Sequence, residues 1–146
     1  MRLRAAALPP IVLAVALLAP GGCGQSGKSD TSKFSGPKKN VAQAVYDLRD
    51  AVAKRDETKI CNTYLTVALR TKLAALAKTD QRGSTCPDQL KDSLQDVDST
   101  DLTVQTVNIT GSDATVTYKT NVTSGTDPID TVHLTNQQGW RVSQLP

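Results

Sequence analysis

At Asp101 the spacing of apolar residues changes period, and that change restricts the chain to few architectures. Before it, apolar residues recur at the i, i+3, i+4 spacing of amphipathic helices. After it they alternate, as in half-buried strands. Helices first and strands after imply an α+β layout, with the helices covering one face of an antiparallel sheet.

In the helical half, Asn40 is placed to cap a first helix, because its side chain can accept from the amides of the first turn. Val41, Ala44, Val45, Leu48, Ala51 and Val52 line one side of that helix, and Asp47, Arg49, Asp50, Lys54 and Arg55 the other. Its end falls near Arg55-Asp56. A second helix is expected from Glu57 or Thr58, with Ile60, Cys61, Tyr64, Leu65, Ala68, Leu69, Leu73 and Leu76 keeping the period. The run from Asp80 to Thr85 breaks it. Cys86-Pro87-Asp88 then opens a shorter third helix, with Thr85 or Cys86 near its cap, proline in the favoured first turn, and Leu90, Leu94 and Val97 on one face.

In the strand half, Leu102 to Ile109 forms a first strand. Val104 and Val107 have opposite parities, so a bulge is expected near Gln105-Thr106. Thr110 to Asp113 turns the chain. Ala114, Val116, Tyr118 and Val122 then face one way and Thr115, Thr117, Lys119, Asn121 and Thr123 the other, which means one packed face and one wet. Ser124 to Pro128 reads as a loop. Val132 and Leu134 point inward on a third strand, and Trp140 and Val142 on a closing fourth, after a turn at Asn136 to Gly139.

The first residues have a different character. Arg2 and Arg4 precede an uncharged run, Ala5 to Ala19, which is followed by small residues. That is the layout of a secretory signal peptide. A membrane-spanning helix needs about 20 apolar residues, and this run is shorter and interrupted by Pro9-Pro10. Pro20-Gly21-Gly22-Cys23 resembles a bacterial lipobox, whose pattern is Leu-small-small-Cys, with Pro20 standing where leucine is preferred. The resemblance implies cleavage before Cys23 and attachment of a diacylglyceryl group to it, a two-chain anchor of the kind stable membrane binding requires. An ordinary cut between Ala19 and Gly22 would instead leave Cys23 as a free thiol. The expected organisation is a signal peptide over residues 1–22, a lipidated cysteine and flexible linker over 23–39, and one domain over 40–146. The expected location is the extracytoplasmic side of the cell membrane.

Cys61 and Cys86 remain. Outside the cytoplasm two thiols in a small domain are usually bonded, and a bridge here would staple the second helix to the third. A redox pair would be expected as Cys-x-x-Cys. Two cysteines and the single His133 fall short of a metal site, and no cofactor motif is present. With Arg2 and Arg4 removed, 15 basic residues face 14 acidic ones. They alternate along the chain, which is a solvated surface and not a nucleic-acid-binding patch.

Ala44-Val45-Tyr46 on the first helix, Cys61-x-x-Tyr64-Leu65, a second cysteine opening a short helix, and Gly139-Trp140-Arg141-Val142 at the end of the sheet form a further pattern. It resembles the secreted NTF2-like (cystatin-like superfamily) domains found as actinobacterial lipoproteins, over about Lys38 to Pro146. The resemblance implies a curved antiparallel sheet of about four strands wrapped round a helix as a cone with a pocket. It does not choose a function, since such folds host enzymes and binders alike. The inward parity offers Tyr64, Tyr118 and Trp140 as pocket residues but no carboxylate or histidine, so no catalytic residue is assigned. His133 has the outward parity. The expectation is a non-enzymatic envelope lipoprotein binding a partner protein or a small apolar ligand, with homodimerisation through the threonine-rich sheet face as a further expectation. The alternative is a cone enzyme acting on a small hydrophobic substrate.

Overall fold

The computed structural model describes residues 29–95, 97, 101–120 and 128–145. Among them are helices α1 (Gly36–Ala53), α2 (Glu57–Lys59), α3 (Val67–Thr79) and α4 (Cys86–Gln95), then strands β1 (Leu102–Thr110), β2 (Asp113–Thr120), β3 (Ile129–Asn136) and β4 (Trp140–Gln144). The strands form one antiparallel sheet in the order β1-β2-β3-β4. The α+β layout read from the change of period is the observed one. No described helix is long and apolar enough to cross a membrane. Cys23, the leader, and the expected strand positions Asn121, Val122 and Thr123 lie outside the described residues.

Helix α1 begins four residues before the expected cap. Ser35, in extended conformation, precedes Gly36, and Pro37 fills a first-turn position where a missing N–H costs nothing. Asn40 is therefore inside the helix. The expected linker is shorter too, because residues from Ser29 onward pack on the domain. Thr31 is buried, Phe34 packs against the core, and the Tyr46 hydroxyl donates to the Asp30 carbonyl at 3.3 Å. Ser29 Oγ accepts from Arg49 Nη2 at 3.2 Å. Arg49 lies roughly 20 Å into α1 at about 1.5 Å per residue, so Ser29 to Ser35 folds back along the helix as a strap.

The expected single second helix is interrupted. After α2 the chain makes a π-helical turn, Ile60–Tyr64, and Leu65 turns extended. The cause is the sheet. Leu65 forms a parallel bridge to Val142, and the Thr66 amide donates to the Val142 carbonyl at 2.9 Å. Thr66 then restarts the helix as its N-cap, Oγ1 accepting from the Leu69 amide at 3.3 Å. At α4, Thr85 and Asp88 cap reciprocally. The Thr85 amide donates to Asp88 Oδ2 at 2.9 Å, and the Asp88 amide to Thr85 Oγ1 at 3.4 Å. The Thr85 side chain, then the Ser84 and Thr85 amides, hold the Asp88 carboxyl below its usual pKa. A Cβ at Gly83 would run into that carboxyl, and its φ of +140° favours glycine as well.

The bulge falls where the parities place it, between Val104 and Thr106. The extra residue lets Val104 and Val107 both face inward, 0% and 3% exposed. Gly111, at φ +61°, closes the β1–β2 hairpin. Val116, Val132, Leu134 and Val142 complete the sheet's inner face, against Val41, Val45 and Tyr46 of α1 and Leu69 and Leu73 of α3. Cys61 and Cys86 are bonded, with their Cα atoms 6.1 Å apart, so the bridge joins the π-helical turn to the start of α4.

Candidate functional site

Val45, Leu48, Arg49 and Val52 follow one another at i, i+3, i+4 and i+7 on the second half of α1. That spacing puts them on one stripe, and the stripe forms a wall of a cleft of about 200 Å³. The facing wall comes from Leu102 at the start of β1, Tyr118 and Thr120 at the end of β2, and Val132 of β3, with Val97 and Leu145 closing the sides. A second groove, of about 380 Å³, runs between α3 and β4, but Lys72, Ser143 and Gln144 make it polar along one side. The first cleft is the apolar one.

Arg49, Asp101, Tyr118 and Thr120 are its polar lining, and two of them, Arg49 and Tyr118, are the most informative. Arg49 is 4% exposed although its charge suggests solvent. Its Nε and Nη2 donate to Asp50 Oδ1 at 3.0 and 2.7 Å, Nη2 also reaches Ser29, and the guanidinium lies 5.0 Å from the centre of the Tyr46 ring. Arg49 is buried and Asp50 half-buried, and such an ion pair is weak evidence for stability, since desolvation offsets the attraction. Its clear effect here is positional: it holds the strap beside the cleft. The expectation that Arg49 belongs to the polar side of the helix is thus corrected. Position 49 stands four residues after Val45 and eight after Val41, on the apolar stripe, and that was the available signal.

Tyr118 is the second of them. On neighbouring strands it faces Val104 and Asp130. Burial first, and the nearby Asp130 charge second, push its hydroxyl above the usual tyrosine pKa of 10.0. It is therefore a neutral hydrogen-bond donor at physiological pH. Because the protonated form is favoured on folding, this group contributes stability fully below pH 10 and loses it as pH rises through the raised value. An ultraviolet titration at 295 nm should show a tyrosine component above pH 10 that Tyr118→Phe removes; an unchanged curve in the variant would sink the assignment.

The expected trio is not brought together. Tyr64 borders a different, polar hollow of about 120 Å³, with Asp47, Asp50, Lys54, Asp56 and Lys59 around it. Trp140 packs on the core opposite Asn136, whereas Tyr118 sits opposite Asp130. Those partners stand six positions apart along β3, roughly 20 Å at about 3.3 Å per residue. Parity gives the face of a strand residue and says nothing of its place along the strand. His133 stands in a cross-strand pair with Thr115, Oγ1 and Nδ1 at 3.3 Å, on the wet face as its parity implies. Among the described residues no group of three or more His, Cys, Asp or Glu is placed to hold a metal. In comparisons with known proteins, no family model, no curated protein and no solved structure matches this chain.

Proposed function

We propose that this chain is an envelope lipoprotein whose domain holds a small apolar ligand in the cleft between α1 and the sheet. In this reading residues 1–22 direct secretion, Cys23 carries the lipid, and the domain stands on the extracytoplasmic face of the cell membrane. The cleft carries the ligand part of the proposal, being lined by Val45, Leu48, Val52, Leu102 and Val132 with the neutral hydroxyls of Tyr118 and Thr120 beside them. Pockets for small molecules are mostly apolar, with few polar groups fixing orientation. The order of helices before an antiparallel meander supports the NTF2-like resemblance, in which such a space is used for binding. Binding is favoured over catalysis because the cleft's described lining holds no carboxylate but Asp101 and no histidine or thiol.

Intact-mass analysis of the purified mature protein tests both parts. Denatured, it should show the chain from Cys23 with a diacylglyceryl group, two hydrogens lighter than the reduced form. Under native conditions it should add the mass of an apolar molecule that denaturation releases. A native mass equal to the denatured one would remove the ligand reading, and an unmodified Cys23 would remove the anchor.

A further inference from the structure

We infer that the occupant of the cleft is the hydrocarbon chain of a lipid drawn from the membrane to which the protein is tethered. This rests on the reading above and names the ligand class. The first observation is where the strap leaves the domain. Arg49 lines the cleft and also holds Ser29 at 3.2 Å, so the chain running towards Cys23 departs from the cleft's rim. Cys23 precedes Ser29 by six residues, a span of at most about 20 Å. With Cys23 lipidated, the rim stays within that distance of the bilayer surface, and the headgroup layer covering the hydrocarbon is only about 5–8 Å thick. Acyl chains are then the most abundant apolar molecules within reach.

The second observation is shape. The stripe from Val45 to Val52 extends about 10 Å along α1 at about 1.5 Å per residue, so the cleft is elongated with the helix as one wall. Its volume of about 200 Å³ modestly exceeds that of the roughly 150 Å³ dry cavities that take benzene. Such a space takes a segment of an alkyl chain and leaves the rest of the lipid outside. The third is charge. Arg49 is paired with Asp50 and the lining's other charged side chain is the Asp101 carboxylate, which makes the cleft poorly suited to a free anionic head. The Tyr118 hydroxyl can donate to an ester carbonyl at the edge.

Among the described residues every core residue lies between Val41 and Val142, so the chain from Gly24 onward contains all the described elements. With that chain, neutral monododecanoylglycerol should shift the methyl NMR signals of Leu48, Val52 and Val132 saturably, and indole should bind at least tenfold more weakly. Thr120→Trp and Leu48→Trp each fill the cleft and should weaken the acyl probe at least tenfold. Amide dispersion reports whether each is folded, and Thr120 is a half-exposed strand position that tolerates a large ring. The lipidated protein in phosphatidylglycerol vesicles containing a spin-labelled acyl lipid should then show broadening of Leu48 and Val52 before Ile109. Tight indole binding with no acyl binding overturns the lipid inference and leaves the apolar-ligand reading standing. No binding of either probe overturns both. Acyl binding in solution without broadening in vesicles overturns the membrane as the source.

Discussion

Replacing Cys61 and Cys86 together with alanine should lower the stability of the domain by about 3–4 kcal/mol. The bond closes a loop of 25 residues, and the loop-entropy relation gives about that value at this length. Against the roughly 5–15 kcal/mol that holds a domain folded, this is among the largest effects any double replacement could have here. The residues are also buried, at 0% and 3% exposure, so the variant loses packing as well. Burial yields a second expectation: a reductant should leave the native protein oxidised until the domain opens, because the sulfurs are covered by the core. Urea unfolding of the wild type, the reduced wild type and the double variant checks the first expectation. Thiol labelling under native conditions checks the second. A loss below about 1 kcal/mol would mean that the unfolded chain already keeps these two segments together.

Tyr46→Ala should cost about 3–5 kcal/mol, the range for truncating a large buried ring. Tyr46 is 1% exposed and joins three parts of the protein. Its hydroxyl donates to the Asp30 carbonyl of the strap and accepts from the Val104 amide of β1 at 3.2 Å, and its ring carries the Arg49 guanidinium. Tyr46→Phe isolates the hydroxyl. It keeps the ring but deprives the buried Val104 amide of its acceptor, at a cost of about 1–3 kcal/mol. Both variants should make the strap from Ser29 to Phe34 more open to proteolysis, since one of its ties is gone. Chemical denaturation gives the energies. Cleavage at the strap no faster than in wild type would show that Arg49 and Phe34 hold it unaided.

These expectations draw on features of unequal legibility in the sequence. The layout was readable because period survives any detail of packing, and the bulge at Gln105 because two buried valines of opposite parity need an extra residue between them. The break at Leu65–Thr66 was not, because its cause is Val142, far along the chain. Arg49 runs against its own chemistry for another reason: a charge on a helix belongs in water, but a neighbouring aspartate and an aromatic ring let its helical position prevail. Of the three aromatic candidates only Tyr118 reaches the cleft. Ser35 and Pro37 carried the true start of α1, ahead of the more conventional cap at Asn40.

The contacts made by Leu65, Thr66 and Tyr46 also decide how far the sheet can grow. An open four-stranded sheet has two edges, and each exposed row of amides and carbonyls is a template for another strand. On the β4 side, Leu65 and Thr66 occupy the row at Val142. On the β1 side, the Gln105 bulge breaks the row and the Val104 amide is already spent on the Tyr46 hydroxyl. Each edge is therefore interrupted by a group from the helical half of the same chain. Strand-by-strand addition is thereby hindered at a point on each edge by a group of the same chain.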